Sequence, residues 1–220
     1  MTTRVFLVRH GATVLSAEDR YAGSVDVALS DEGRAQARAL GVRLAGEPLV
    51  AAYASPMSRA VDTAALITEA RRLDVARMHD LRETDHGHWE GKTRDDVRAE
   101  FPDEYARWER DPFTFAPSSG ETGLQVLSRA LPAFLAIASR HEGAPVLVVS
   151  HKATIRLVVS ALLGIELRGY RDRLDMSPCG LSILDVKADA DARLVLFNDV
   201  AHYATVPGPT GKRLSPWWSS

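Results

Sequence analysis

Two histidines, two arginines and a glutamate stand at the ends of short apolar runs in this chain, and together they suit phosphate chemistry. Arg9-His10-Gly11 closes Val5-Phe6-Leu7-Val8, Arg59 follows Tyr53-Ala54-Ser55-Pro56-Met57-Ser58, and His151 ends Val146-Leu147-Val148-Val149-Ser150. Glu83 closes Leu81-Arg82-Glu83. A phosphate ester repels an anionic nucleophile, whereas imidazole, with an ordinary pKa of about 6.5, is largely neutral at pH 7 and can attack phosphorus. Charge on the phosphoryl oxygens needs fixed donors, and the planar fork of arginine matches them bidentately. Arg9 and Arg59 fit that task, and Arg59 falls in the first turn of its helix, whose positive end adds to the attraction for phosphate. His151 precedes another helix start and is placed as a further donor. A departing alkoxide needs a proton, which a carboxylic acid in the cleft supplies before acting as base toward water. Each residue alone is a weak signal. Their joint placement after short strands carries the reading.

The elements that position them read as alternating strands and helices. Strands are expected over about 3–9, 49–54, 74–78, 145–150, 181–186 and 193–198, most of them apolar throughout, as for strands covered on both faces. Helices are expected over 31–45, with Ser30 as N-cap, and over 57–71, with Ser55-Pro56 read as N-cap and first-turn proline. Two more are expected over 122–140 and 152–163. This order predicts an α/β fold with a mainly parallel sheet, whose ligands bind beyond the carboxyl ends of the strands. The stretch 82–121 differs. It is rich in charge and in aromatics (Trp89, Phe101, Tyr105, Trp108, Phe113, Phe115) and reads as an insertion of one or two short helices near enough to lid the site. The aromatics from Phe101 to Phe115 are expected to form a small core under the lid, the alternative being contact with an apolar leaving group. Residues 206–220 read as an irregular tail behind a domain of residues 1–205. Trp217 and Trp218 suggest packing on the same subunit or a homodimer contact.

Composition sets the class. The 220 residues are 45% hydrophobic and 25% charged, ordinary for one globular domain with a real core. A formal net charge of −2 argues against nucleic-acid or anionic-membrane partners, which favour a basic excess. No run approaches the roughly 20 apolar residues a membrane span needs. A strand that begins at once and carries the charged Arg4 does not fit a basic-then-apolar leader. A single Cys179 excludes an intramolecular disulfide framework and fits a reducing compartment. The expectation is a cytoplasmic protein.

The ordered motifs resemble the histidine phosphatase superfamily, the phosphoglycerate-mutase-like group. Those motifs are Leu7 to Thr13, Gly23 with Asp26, Leu29 to Ala37, Ala54 to Ala60, Leu81-Arg82-Glu83 with Gly87 to Gly91, Gly120-Glu121-Thr122 with Arg129, Val149-Ser150-His151, and Asn198-Asp199 with His202. The resemblance covers residues 3–203. It implies a three-layer α/β/α sandwich and no metal or other cofactor. His10 would be the nucleophile, with Arg9, Arg59 and His151 gripping the phosphoryl group and Glu83 as general acid and then base. Ser16 and Gly23 would join substrate binding.

Four positions depart from the usual pattern: Ala12 where Glu is common, Ser16 for Asn, Ala22 for Gln, and Lys152 for a small residue. They bear on the substrate, not on phosphoryl transfer. Lys152 has two readings: a cation that recognises an acidic substrate group, or a helix-start lysine turned to solvent. The His86/His88 pair is the only hint of a metal, yet no matching ligand pair lies nearby at usual spacing. One of the two, with Trp89, is expected to line the pocket wall. The leading function is hydrolysis of a small-molecule phosphate monoester. A mutase is the alternative, disfavoured by the chain's modest length, and a non-catalytic phospho-ligand binder is disfavoured by the full set of His10, Glu83 and His151.

Overall fold

Alternation along β1 (Thr2–Arg9) sends Val5 and Leu7 to one face of a sheet and Phe6 and Val8 to the other. Both faces are covered, so the strand is apolar on consecutive positions, as a central strand must be. The computed structural model describes residues 1–17 and 20–204; the tail over 206–220, with Trp217 and Trp218, lies outside the described residues.

After β1 come α1 (Val14–Ala17), α2 (Asp31–Arg43), β2 (Ala51–Ala54), α3 (Ser58–Thr68) and β3 (Val75–Arg77). The inserted segment carries α4 (Arg94–Glu100) and α5 (Pro102–Arg110). Then follow α6 (Gly123–Arg140), β4 (Pro145–Ser150), α7 (Lys152–Leu163), α8 (Tyr170–Arg173), β5 (Leu181–Lys187) and β6 (Ala192–Asp199). The strand order is β3-β2-β4-β1-β5-β6. The first four strands pair in parallel and the last two join antiparallel.

On one face, Phe6 and Val8 meet Ala37 and Leu40 of α2 and Ala60, Ala64 and Ile67 of α3. On the other, Val5 and Leu7 meet Phe134 and Ile137 of α6 and Ile155 and Val158 of α7. The expected three layers are therefore present. Each fully buried side chain such as Phe134, Ile137 or Ile155 contributes about 1.5–3 kcal/mol relative to exposure. Because the helices that follow β1 and β2 lie on one face and the helix that follows β4 lies on the other, the chain leaves the neighbouring strands β1 and β4 toward opposite faces, and a crevice opens at their carboxyl ends. Among the described residues no helix is long and apolar enough to cross a membrane.

Two helix starts show how local sequence and tertiary contact share the work. Ser30 caps α2 as expected, its hydroxyl accepting from the Gly33 amide at 3.1 Å. At α3 the expected Ser55-Pro56 cap is wrong: the helix begins at Ser58, with Met57 at the cap position and no side-chain cap bond. Asp26, distant in sequence, does the capping instead. Its Oδ1 accepts from the Ser58 amide at 2.8 Å and from the Ser58 hydroxyl at 2.9 Å. Ser55 is thereby free for a different partner in the crevice.

The insertion has a core of its own. Trp89, Val97, Tyr105 and Trp108 are buried together, with Tyr21, Phe101 and Phe115 packed around them. This matches the lid core expected of the aromatics except Phe113, which packs with Val126, Leu127, Leu157 and Tyr170 instead. Trp89 is wholly buried, and its indole donates to Glu104 Oε2 at 2.9 Å, so it does not line the crevice as expected.

Candidate active site

Strand register brings the two histidines together. Arg9 pairs with Ser150 across β1 and β4, so His10 and His151 are the next residues on adjacent strands. The His10 amide donates to the Ser150 carbonyl at 3.0 Å, and the two ring centroids lie 5.1 Å apart. Ala54 pairs with Val149 in the same way, which sets Ser55 beside this pair. The Ser55 hydroxyl lies 2.7 Å from His151 Nε2.

His10 is 7% exposed. Its Nδ1 donates to the Gly11 carbonyl at 2.8 Å, because that oxygen can only accept. Nε2 is left as the lone-pair nitrogen, on a ring that lines the crevice. Burial, then the charges of Arg9 and Arg59, hold this imidazole well below the usual 6.5. His151 is fully buried and is pushed well below 6.5 by burial, then by His10 and Arg59. Its Nδ1 is buried and has no protein partner among the described residues.

The arginines are anchored through part of their forks. Arg9 Nη1 donates to the Met176 carbonyl at 2.5 Å, while its Nε is buried without a protein partner among the described residues. Arg59, 2% exposed, donates to the carbonyls of Ala22, Gly23 and Val25 at 3.0, 2.8 and 2.7 Å. It thus fixes the loop over 22–25 against the crevice. Gly23 is required there: a Cβ would lie 1.9 Å from the Thr84 carbonyl and 2.6 Å from Glu90 Oε1. Burial lowers both guanidinium pKa values from their ordinary range, yet arginine keeps its charge at neutral pH.

Glu83 is held by the start of α7. Oε1 accepts from the Thr154 amide and hydroxyl, both at 3.2 Å, and from the Thr84 amide at 3.0 Å; Oε2 accepts from the Ala153 amide at 3.2 Å. A helix N-terminus is a natural seat for a carboxylate. Arg129 fixes the approach to it, donating to the carbonyls of Asp80, Arg82 and Glu83 and pairing with Glu121 at 2.8 Å.

These groups surround one crevice of about 360 Å³, lined by Arg9, His10, Gly23, Arg59, Glu83 and Lys152 among others. The expected set is therefore gathered in one place, apart from three details. His151 stands behind the surface, reaching the site through its ring. Ser16 falls in α1, and its side chain lies outside the described residues. Lys152 is half-buried and lines the crevice, against the reading of a lysine turned to solvent.

Sequence reasoning missed Ser55, read as a cap, and Tyr21, which packs on His86 at 4.8 Å and joins the lining. The His86/His88 pair diverges. His86 lines the crevice, while His88 pairs with Glu104 at 2.9 Å. Arg156 was also missed. A lone arginine within the apolar run Ile155 to Leu163 is a readable signal of a buried cation.

Known proteins resemble this chain over most of its length. Phosphoserine phosphatase 1 of Hydrogenobacter thermophilus is 34% identical over 167 residues, 76% of this chain and 79% of that one. A bifunctional protein of Mycobacterium tuberculosis is 38% identical over 205 residues, 91% of this chain, which spans only 55% of that longer relative. The structure of a mycobacterial glucosyl-3-phosphoglycerate phosphatase complexed with VO3 superposes with a TM-score of 0.80 at 28% identity, covering 89% of this chain and 98% of that one. The model of the histidine phosphatase superfamily (branch 1) matches residues 5–200, and the chain belongs to that family.

Proposed function

We propose that this protein is a phosphatase that hydrolyses a small-molecule phosphate monoester through a phosphohistidine on His10. The observation that carries the reading is the His10 ring: Nδ1 is tied to the Gly11 carbonyl, and the neutral Nε2 shares a crevice with Arg9 and Arg59. A neutral nucleophile approaches a phosphate dianion without charge repulsion, and two guanidinium groups meet the equatorial oxygens.

In the first step Nε2 attacks phosphorus as the bond to the leaving oxygen breaks. The Arg9 Nε and His151 Nδ1, both lacking protein partners among the described residues, supply donors to the phosphoryl oxygens. Ser55 suits the tautomer this needs: its oxygen accepts from the Met57 amide at 3.4 Å, and its proton is assigned to His151 Nε2, 2.7 Å away. That leaves the proton of neutral His151 on Nδ1. Glu83 delivers a proton to the leaving oxygen, then takes one from the water that attacks the phosphohistidine. Water cleaves the P–N bond, releasing inorganic phosphate and restoring Nε2. Relatives named as phosphatases and the vanadate-bound neighbour support this reading. A reducing, cytoplasmic setting is part of the proposal, since a chain with a single cysteine builds no intramolecular disulfide.

The test is chemical trapping. Acid-labile, base-stable phosphate should appear on the wild-type chain during turnover and be absent from His10→Ala, which should release no phosphate above background. Full turnover by His10→Ala would overturn the assignment.

A further inference from the structure

Asn198 stands near the end of β6 at a φ of +49°, a left-handed conformation that asparagine tolerates better than most side chains. β6 carries an extra residue at this point: Leu196 pairs with Ile183, but Asp199 pairs with Leu181. A bulge of this kind re-aims a side chain. Here it sends Asn198 across to the loop over 175–180, where Oδ1 accepts from the Ser177 amide at 2.7 Å. We propose that Asn198 is a positioning residue for Arg9, acting through the peptide group between Met176 and Ser177. The proposal rests on the phosphatase reading, in which Arg9 grips the phosphoryl group.

The link is short. The Met176 carbonyl and the Ser177 N–H belong to one planar peptide unit, so an acceptor that fixes the N–H also fixes the direction of the C=O. That carbonyl accepts from Arg9 Nη1 at 2.5 Å, the one hydrogen bond of the Arg9 guanidinium among the described residues. Hydrogen bonds in series polarise one another, so the bond to Asn198 also makes the carbonyl a better acceptor for a cation. Holding Nη1 sets the plane of the fork, and with it the direction of the buried Nε that meets the phosphoryl oxygens.

The surroundings are shaped to this contact. A Cβ on Gly180 would lie 2.3 Å from Asn198 Oδ1, so only glycine lets the side chain reach Ser177. The Asn198 amide donates to Ser182 Oγ at 3.1 Å, which holds the bulge from its own backbone. The same loop touches β1 at two further points. The Cys179 amide donates to the His10 carbonyl at 3.1 Å, and the Gly180 carbonyl accepts from the Arg9 amide at 3.4 Å. Those bonds hold the backbone of Arg9 and His10, whereas the Met176 carbonyl holds the fork. Asn198 is not among the described residues that line the crevice, so its influence on phosphate passes through Arg9.

Asn198→Gly separates the two roles of the residue, because glycine keeps the left-handed backbone and deletes the acceptor. With the fold checked by circular dichroism, kcat/KM on 4-nitrophenyl phosphate should fall at least about five-fold, as expected for an amide left without its acceptor. Asn198→Asp keeps an acceptor and tolerates the same φ, and should recover most of that loss. A merely structural residue would exact its penalty in any background. A residue that acts on Arg9 would not: Arg9→Ala combined with Asn198→Gly should lie within about two-fold of Arg9→Ala alone. An unchanged kcat/KM in folded Asn198→Gly, or the full penalty repeated on Arg9→Ala, would overturn the positioning role. If Asn198→Gly does not fold, the Ser177 amide decides. Its proton resonance should move when Arg9→Ala takes the guanidinium from the same peptide group, and an unmoved resonance would overturn the link. His10-dependent hydrolysis that survives Asn198→Gly intact removes only the positioning role. Release of phosphate from no ester by the wild-type chain removes the phosphatase reading and this inference with it.

Discussion

Ser55 Oγ and His151 Nε2 are joined at 2.7 Å across the carboxyl ends of β2 and β4, fully buried at both ends. The contact fixes a ring that has no other polar partner among the described residues. Ser55→Ala removes it and leaves a buried nitrogen unpaired, at a cost of about 1–3 kcal/mol. We expect kcat to fall by about ten-fold or more, each 1.4 kcal/mol of lost transition-state stabilisation being a factor of ten. KM should change less, because Arg9 and Arg59 still hold the phosphoryl group. Steady-state kinetics on an aryl phosphate reads the split; an unchanged kcat would show that the tautomer of His151 is set without Ser55.

The pH behaviour follows from two imidazoles held well below 6.5. Both stay neutral as pH falls through 6.5, so kcat/KM, corrected for substrate ionisation, should show no acid limb there. The limb should appear only well below that value. Stability moves the other way. Below about 6.5 the unfolded chain takes up protons that the folded rings refuse, so stability is lost as pH falls. His202, lowered to about 4 by burial, adds to the same trend. Urea unfolding at about pH 7.5 and pH 5.5 should give the smaller free energy at the lower pH.

Glu83→Gln tests the acid role through the leaving group. A poor leaving group depends on protonation and a good one does not, and general acid catalysis is worth about 10²–10⁴. Hydrolysis of an alkyl phosphate should drop by at least 100-fold, and formation of the phosphoenzyme from 4-nitrophenyl phosphate by far less. Equal losses with both esters, measured by rapid quench, would remove Glu83 from that step.

Gly23→Ala sets a methyl group 1.9 Å from a backbone oxygen, in the loop that Arg59 binds. Overpacking of this kind costs about 1–3 kcal/mol. At about 2–4 °C per kcal/mol for a chain of this size, Tm should fall by about 2–12 °C. Activity should fall as well, because the loop carries Arg59's acceptors. Differential scanning calorimetry with parallel kinetics checks both.

Residues whose roles follow from neighbours in sequence were readable, and residues whose roles depend on folding were not. The strand of Val5 to Val8 and that of Val146 to Ser150 are apolar on consecutive positions, so their ends, and hence His10 and His151, could be located. Ser30 caps α2 with its own first turn, a local contact. By contrast, Ser55 looks like a cap until Asp26, 32 residues from Ser58, is seen to take that work. Trp89 and His86 lie three residues apart but on opposite sides of the lid, one in its core and one in the crevice. Side-chain direction in a segment with three short helical turns cannot be read from spacing of 3.6 or 2. The role of Lys152 turned on which way α7 faces, and that is decided by Ile155 and Val158 packing on the sheet.

The aromatic cluster of the lid is separate from the two clusters that sandwich the sheet. Phosphoryl transfer is built on strand ends clamped from both faces, while Arg94 and Trp108, which line the cavity next to Glu83, belong to the separately packed segment. Selection can therefore rewrite the lid without retuning the nucleophile. The division leaves the reacting groups on the sheet and gives part of the neighbouring cavity wall to a cluster that packs by itself.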